Sequence, residues 1–563
     1  MEIKNQIAEL LAKAGVNVKI DLITPPNPTM GDLALSCFEL AKANQINPAQ
    51  AAEDLAKKIS TGELISGVKA VGPYVNLYLN SQKLAEMILT ECARDDFGRL
   101  NQNQGRKIMV EFAHPNTHKA FHIGHLRNII TGESITRLLE NTGYQIIRAN
   151  YQGDVGMHIA KCLWGIAQSK KEYERVKTES LEEKVKFLGK VYALGGRAYE
   201  TDDKKIKQAI VEFNDKIYSR DNSIKEIYET TRHWSLEYFD HVYQRVGSRF
   251  DRLYFESEVF AQGKEIVEKF LTKGIFVESQ GAIIFAGSQY GLHDRVFINS
   301  NGFPTYEAKD MGLAVKQFSE YDPDKIIHVV GKEQAEYFKV IFKALEFVLP
   351  SSQGKEYHLS YGWVTLKEGK MSSRTGQVIL GEWLLDEVEK KVNEIMKDND
   401  LSDKENVIKK VALSAVKYSF LKTGVKNDIK FDLQESISLS GDSGPYLLYI
   451  LARIKSILRK AGQNNAKFKN LADIEVADYE KQLLLKINEY AQTVASAAQD
   501  LDPSKIARYL FELAQKFNAF YENCPVLPSQ GAIKDWRLAI CDLTGKIMDK
   551  GLSLLGIDSV EKM

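Results

Sequence analysis

The stretch VEFAHPNTHKAFHIGHLRN, residues 110–128, decides the fold. It starts in a short apolar run, KIMVEF at 107–112, that reads as a buried strand, and it ends in a helical pattern starting near His122. A second strand follows at 145–150 and stops at the turn YQGDVG. Strand, loop, helix and strand in that order predict an α/β domain with a parallel, doubly wound, Rossmann-like sheet. Ligands of such sheets bind beyond the carboxyl ends of the strands, so a site is expected in the loop between Phe112 and His122.

The loop carries suitable chemistry. His122 and His125 stand three apart at the start of a helix, where free N–H groups and the helix dipole favour phosphate. Imidazoles at that spacing share one face of the first turn. Gly124 between them lets a flat base approach the backbone. Two histidines so placed also suit chance or a metal pair, although no third ligand is evident. Far downstream, Lys370, Ser372 and Ser373 lie in the polar loop KEGKMSSRTG, where a lysine can swing onto a triphosphate. Taken alone, that segment is an ordinary charged turn.

Outward from this centre, residues 1–104 read as a small α+β module. Helices are expected at 3–14, 33–43, 48–59 and 82–92, with one strand at 70–79. The catalytic α/β domain is expected over 105–390, interrupted by a charged, aromatic helical insertion at about 170–280. Further strands are expected at 282–285, 296–298 and 325–330. A helical connector follows at 391–440, then an all-helical domain at 441–563.

At 563 residues the chain exceeds one hydrophobic core. The 75 basic and 75 acidic residues balance, which neither suggests nor excludes a nucleic-acid partner. Five dispersed cysteines without a C-x-x-C pair give no support to a zinc ribbon or dithiol site, so no metal-ligating residues are expected. No apolar run is long enough to span a membrane, and the amino terminus does not resemble a secretory signal. A soluble, cytoplasmic, monomeric protein is expected.

With FHIGHLRN and KMSS in this order, the chain resembles a class I aminoacyl-tRNA synthetase. Residues 110–128, NYQGDVG (150–156), PTYEAKDMG (304–312), SGPYLLYILARIKSILRKA (443–461) and LSLLGIDSVEKM (552–563) resemble the arginyl family in particular. PPNPTMGDLALSCFELAK (25–42) and VGPYVNLYLN (71–80) resemble that family's amino-terminal tRNA-binding domain. The resemblance implies activation of L-arginine by ATP with Mg²⁺, giving arginyl-adenylate and pyrophosphate. Transfer to the terminal ribose 2′-OH of tRNA(Arg) then releases AMP. His122, His125 and Lys370 would hold and neutralise the triphosphate, with Ser372 and Ser373 beside them. Lys119 matches a lysine that some members use instead of the one in the KMSK-type loop.

The same resemblance assigns Glu111, Asn116, Tyr306, Asp310 and Gln334 to arginine, whose five-donor guanidinium calls for carboxylates and amides. It assigns Tyr74 and Asn76 to the tRNA elbow, and Arg453, Lys455, Tyr521 and Met563 to the anticodon region. The chain departs from the family at Ala113-His114, where small polar residues are common, and at Val155 and His158, where Trp and Gln are more usual. Alternatives are a class I synthetase for another amino acid and a non-catalytic tRNA-binding paralogue. The pocket acids argue against glutamate, and intact signatures argue against the paralogue.

Overall fold

The structure, a computed structural model, describes residues 2–16, 22–23, 25, 27–92, 94–367, 379–462 and 474–563. At its centre is a five-stranded sheet of β1 (Lys107–Glu111), β2 (Gln145–Gln152), β3 (Arg252–Phe255), β4 (Lys325–Gly331) and β5 (Glu356–Tyr361). The strands lie in the order β5-β4-β1-β2-β3, and every neighbouring pair is parallel. This is the doubly wound α/β arrangement. Winding reverses between β1 and β4, which makes their carboxyl ends the crevice where such sheets take ligands. β1 is buried along almost its whole length, as a central strand covered on both faces must be.

The crossover from β1 to β2 is helix Ile123–Asn141. Five helices between Met157 and Arg245 lie between β2 and β3. Here the expectation of one helical insertion over 170–280 is corrected, because β3 lies inside that range and belongs to the main sheet. Its four residues, RLYF, are too short to show a period. The strand signals at 282–285 and 296–298 instead build a separate three-stranded antiparallel sheet with Val277–Ser279. Helix Tyr306–Tyr321 leads back to β4, and helix Ala335–Val348 connects β4 to β5.

In the amino-terminal module, the segment expected as a helix over 33–43 is a strand, Leu33–Ser36, followed by helix Phe38–Asn44. The alternating run at 70–79 is two strands, Ile65–Val71 and Tyr74–Leu79, folded back at Gly72-Pro73. Gly72 turns there with φ +56°, in the left-handed region that glycine tolerates. This module docks on the helical carboxyl-terminal part: Lys481 pairs with Asp32 at 2.6 Å and donates to the Leu79 carbonyl at 2.9 Å.

Helix Ile123–Asn141 is wired to the same part. Ser134 Oγ donates to the Leu554 carbonyl at 2.9 Å, Arg137 to that of Ser553 at 3.0 Å, and Arg127 to that of Val425 at 3.1 Å. Among the described residues beyond 400, the elements are helices apart from the strand Ile429–Phe431, which pairs in parallel with Val364–Leu366. Among the described residues, no helix is long and apolar enough to cross a membrane.

Candidate active site

The loop leaving β1 is strained. Ala113, His114 and His118 have φ of 80°, 49° and 64°, conformations that cost side-chain-bearing residues on the order of 1–3 kcal/mol each. Hydrogen bonds from distant elements impose them. The Asn128 amide accepts from Ala113 N–H at 2.6 Å and donates to the Val329 carbonyl at 2.7 Å, clamping loop to β4. Ser235 accepts from His118 N–H at 3.0 Å, and the buried His118 ring meets Thr231 at 2.7 Å. Thr117 N–H donates to Gly153 at 2.9 Å, and Asn116 bridges to the same glycine. A Cβ on Gly153 would stand 2.1 Å from Asn116 Oδ1, so glycine there is what lets the Asn116 side chain keep this position.

The loop delivers the chain to the helix in a defined state. His122 caps the helix: its Nδ1 accepts from Gly124 N–H at 3.1 Å, and His125 Nδ1 accepts from His122 N–H at 3.2 Å. The rings stack with centroids 3.7 Å apart. Burial, with Lys119 adding to it, lowers the pKa of His122. Burial, then His122, His114 and Lys119, holds that of His125 well below the usual value. Both imidazoles are therefore neutral. Since each Nδ1 is an acceptor, each Nε2 carries the hydrogen. The result is two parallel N–H donors at a helix N-terminus. Gly124 has a second reason to be glycine, because a Cβ there would lie 2.9 Å from the His122 ring.

These donors face a cavity of about 650 Å³ at the switch point between β1 and β4. His122, Gly124 and His125 line it together with Glu111, Asn116, Tyr306, Asp310 and Gln334, so the histidine signature and the predicted arginine residues share one space. Asp310, one helical turn after Tyr306, accepts from the Tyr337 hydroxyl at 2.7 Å. Burial, and to a lesser extent nearby Glu111, pushes its carboxyl up to about 8 against the pull of Tyr337. Tyr306 is 58% exposed and Gln334 is exposed, both at the cavity mouth. Beside Tyr306 runs a buried ion pair, Lys309 to Glu256 at 3.0 Å.

Glu111 is not a free carboxylate. It accepts from Gln317 Nε2 and, at 3.1 Å, from His328 Nδ1, while His328 Nε2 meets Glu356 at 2.7 Å. Burial opposes ionisation of Glu111, but His328, joined by His114 and Gln317, outweighs it and holds the carboxyl below its ordinary value. Sequence reasoning missed His328, Gln317, Tyr337 and Glu356. A lone histidine inside the apolar strand IIHVVG was the one available signal. The Tyr151 hydroxyl and the Gln317 carbonyl oxygen, both buried in the cavity wall, find no hydrogen-bond partner among the described residues.

Other expected residues lie elsewhere. Lys119 is half-buried with its ammonium 5.8 Å from the Tyr192 ring, outside the cavity lining. Lys370, Ser372 and Ser373 fall outside the described residues. His158 is buried, with its ring nitrogen 3.5 Å from the Gly153 carbonyl. Tyr74 packs edge-on against Phe38, itself 50% exposed. Asn76 shares the strand face of Tyr74 and Tyr78 but is 2% exposed, so its side chain is covered rather than presented to a partner. Arg453 donates to Tyr449 at 2.6 Å and lies 5.9 Å from the Tyr521 ring. Lys455 pairs with Glu561 at 2.6 Å, close to Met563, which packs on the core.

Comparison with known proteins agrees along the whole chain. The family model described as tRNA synthetases class I (R), catalytic domain, matches residues 88–433. The DALR anticodon binding domain matches 447–563, and the arginyl tRNA synthetase N terminal domain matches 1–79. An arginine–tRNA ligase of Treponema denticola is 33% identical over 97% of this chain and 95% of its own length. That of Clostridium acetobutylicum is 33% identical, with both chains fully covered. The solved Thermus thermophilus arginyl-tRNA synthetase superposes with a TM-score of 0.81 at 26% identity, covering 99% of this chain and all of that one. The cavity, lined by the histidine pair and by Glu111 and Asp310, lies wholly within the matched catalytic domain, and with all three family models and these full-length relatives in agreement the chain belongs to the arginyl-tRNA synthetase family.

Proposed function

We propose that this chain ligates arginine to tRNA in two steps, both carried out in the cavity between β1 and β4. The observation that carries this reading is the pairing of two neutral Nε2–H donors with the half-buried Asp310 and the buried Glu111 in one space. An arginine carboxylate oxygen attacks the α-phosphorus of ATP and pyrophosphate leaves. The terminal 2′-OH of the tRNA then attacks the acyl carbon and AMP leaves. No protein nucleophile is needed, so acceleration comes from alignment and from charge stabilisation on the phosphates.

His122 and His125 donate to phosphate oxygens, with Gly124 leaving room for the nucleotide base. Lys370, with Ser372 and Ser373 after it in the chain, neutralises the triphosphate, and Lys119 is a second cation for it. Mg²⁺ would arrive with ATP rather than on a protein site and would supply neutralisation of the charge on the phosphates. Asp310 and Glu111 receive the cationic substrate, Tyr306 and Gln334 border it, and Asn116 contacts its α-amino or carboxylate group. Tyr74 with its neighbours, and the Arg453–Tyr521 surface near the chain end, contact tRNA, whose unpaired bases stack on aromatics. The protein acts as a monomer.

The test is ATP–pyrophosphate exchange across a panel of amino acids, with and without tRNA. Arginine-dependent exchange that requires cognate tRNA is expected. Exchange with another amino acid but not arginine overturns the specificity, and exchange without tRNA overturns only the dependence.

A further inference from the structure

Three charged side chains lie in a row across the sheet. Glu111 on β1 is in register with His328 on β4, and Glu356 on β5 is in register with Ile326, two residues earlier on β4. Side chains of a strand alternate between faces, so all three project from the same face. There His328 packs against the rings of Phe338 and Phe342, 5.3 and 5.6 Å away. The Glu111, His328 and Glu356 side chains are 4%, 8% and 5% exposed, so water does not satisfy them.

We propose that His328 is a positioning residue for the amino-acid substrate: donating to Glu111 from Nδ1 and to Glu356 from Nε2, it holds the Glu111 carboxylate charged and fixed in the cavity wall. This rests on arginine being the substrate. The argument is one of donor counting. A neutral imidazole has one N–H, whereas an ionised carboxylate can only accept. A ring lodged between two carboxylates at 3.1 and 2.7 Å therefore donates from both nitrogens only as imidazolium. Burial works against that charge, but Glu111 and Glu356 raise His328 well above its ordinary range. His114 at 4.0 Å from Glu111, with Asp310 and His358 nearby, completes the titratable surroundings. Glu356 also borders the cavity, but its side chain is engaged by His328 Nε2, and its role is to charge the histidine. Gln317 takes the second oxygen of Glu111, so the carboxylate cannot rotate away.

The experiment measures L-arginine affinity by calorimetry on the full chain, for the parent, H328Q, E356Q and the double variant. A carboxamide at 328 donates to one neighbour but turns its oxygen on the other, so H328Q leaves a buried carboxylate unsatisfied. Arginine Kd is expected to rise about tenfold or more at pH 7, with ATP affinity unchanged and a steeper pH dependence between pH 6 and 7. In the double variant the second carboxamide, at position 356, gives that oxygen a donor, so affinity recovers in part. A role in packing alone predicts no such rescue. If H328Q does not fold, E356Q alone decides: between pH 7 and 8 it gains less arginine affinity than the parent. Parent-like affinity and pH profiles in the folded variants overturn the role of His328 while leaving arginine as substrate. A parent chain that activates another amino acid and not arginine overturns both.

Discussion

Asp310 offers the sharpest quantitative test of the pocket. Its carboxyl is raised to about 8 by burial, so in the empty cavity at pH 7 it is mostly protonated. A guanidinium is charged at every accessible pH, so an ion pair with Asp310 forms only after that proton leaves. Ionisation at pH 7 costs about 1.4 kcal/mol, one pH unit below the raised value. Apparent arginine affinity then increases about 50-fold from pH 6 to pH 8 and levels off above.

Neighbouring groups do not mimic this. His328 is held well above its ordinary value, Glu111 below its own, and His114, His122 and His125 below theirs. Calorimetry in buffers of differing ionisation enthalpy should show about 0.9 proton released per arginine at pH 7. D310N should release none, bind arginine independently of pH over this window, and lose about 30-fold or more in affinity at pH 8, roughly 2 kcal/mol. ATP affinity should stay within twofold. Proton release that persists in D310N, or equal losses for arginine and ATP, would refute the placement of Asp310.

Other outcomes follow from the same geometry. H125A should lower the arginine-dependent exchange rate by about 10²–10³-fold, the value of one preorganised donor, while arginine Kd stays within twofold; a rise in arginine Kd alone would contradict the assignment. Exchange in the parent should show no loss between pH 6.5 and 8 traceable to His122 or His125, since both are already neutral; a step abolished by H125A would count against this. G153A drives a Cβ to 2.1 Å from Asn116 Oδ1, so the arginine KM should rise several-fold and the ATP KM less. An unchanged arginine KM would remove Asn116 from the pocket. Affinity for tRNA should fall steeply with added salt, as counterion release requires, and a flat filter-binding series would exclude broad phosphate contact.

Short windows of sequence carried the parts of the fold with a local cause. The apolar run of β1, the start of the helix at His122 and the helix that begins at Pro48 were readable because strands and helix starts follow from neighbouring residues. Where the window was too short, reading failed: β3 has four residues, and the hairpin at Gly72-Pro73 looked like one alternating strand. The predicted pocket set was legible only through family resemblance, because Glu111, Tyr306 and Gln334 are brought together by strand order rather than by proximity in sequence.

By itself, then, the sequence determined that a parallel α/β sheet presents two histidines at a helix N-terminus, and family resemblance added Glu111 and Asp310 as its acids. Only the tertiary structure decided their chemical states. Nδ1 of each histidine is consumed by a backbone N–H, which fixes the hydrogen on Nε2. Asp310 is neutral because burial removes the water that would stabilise its charge. Glu111 is charged because β4 brings His328 beside it from 217 residues away. Protonation depends on the dielectric and on the partners that folding assembles, and neither is written in any local stretch of the chain.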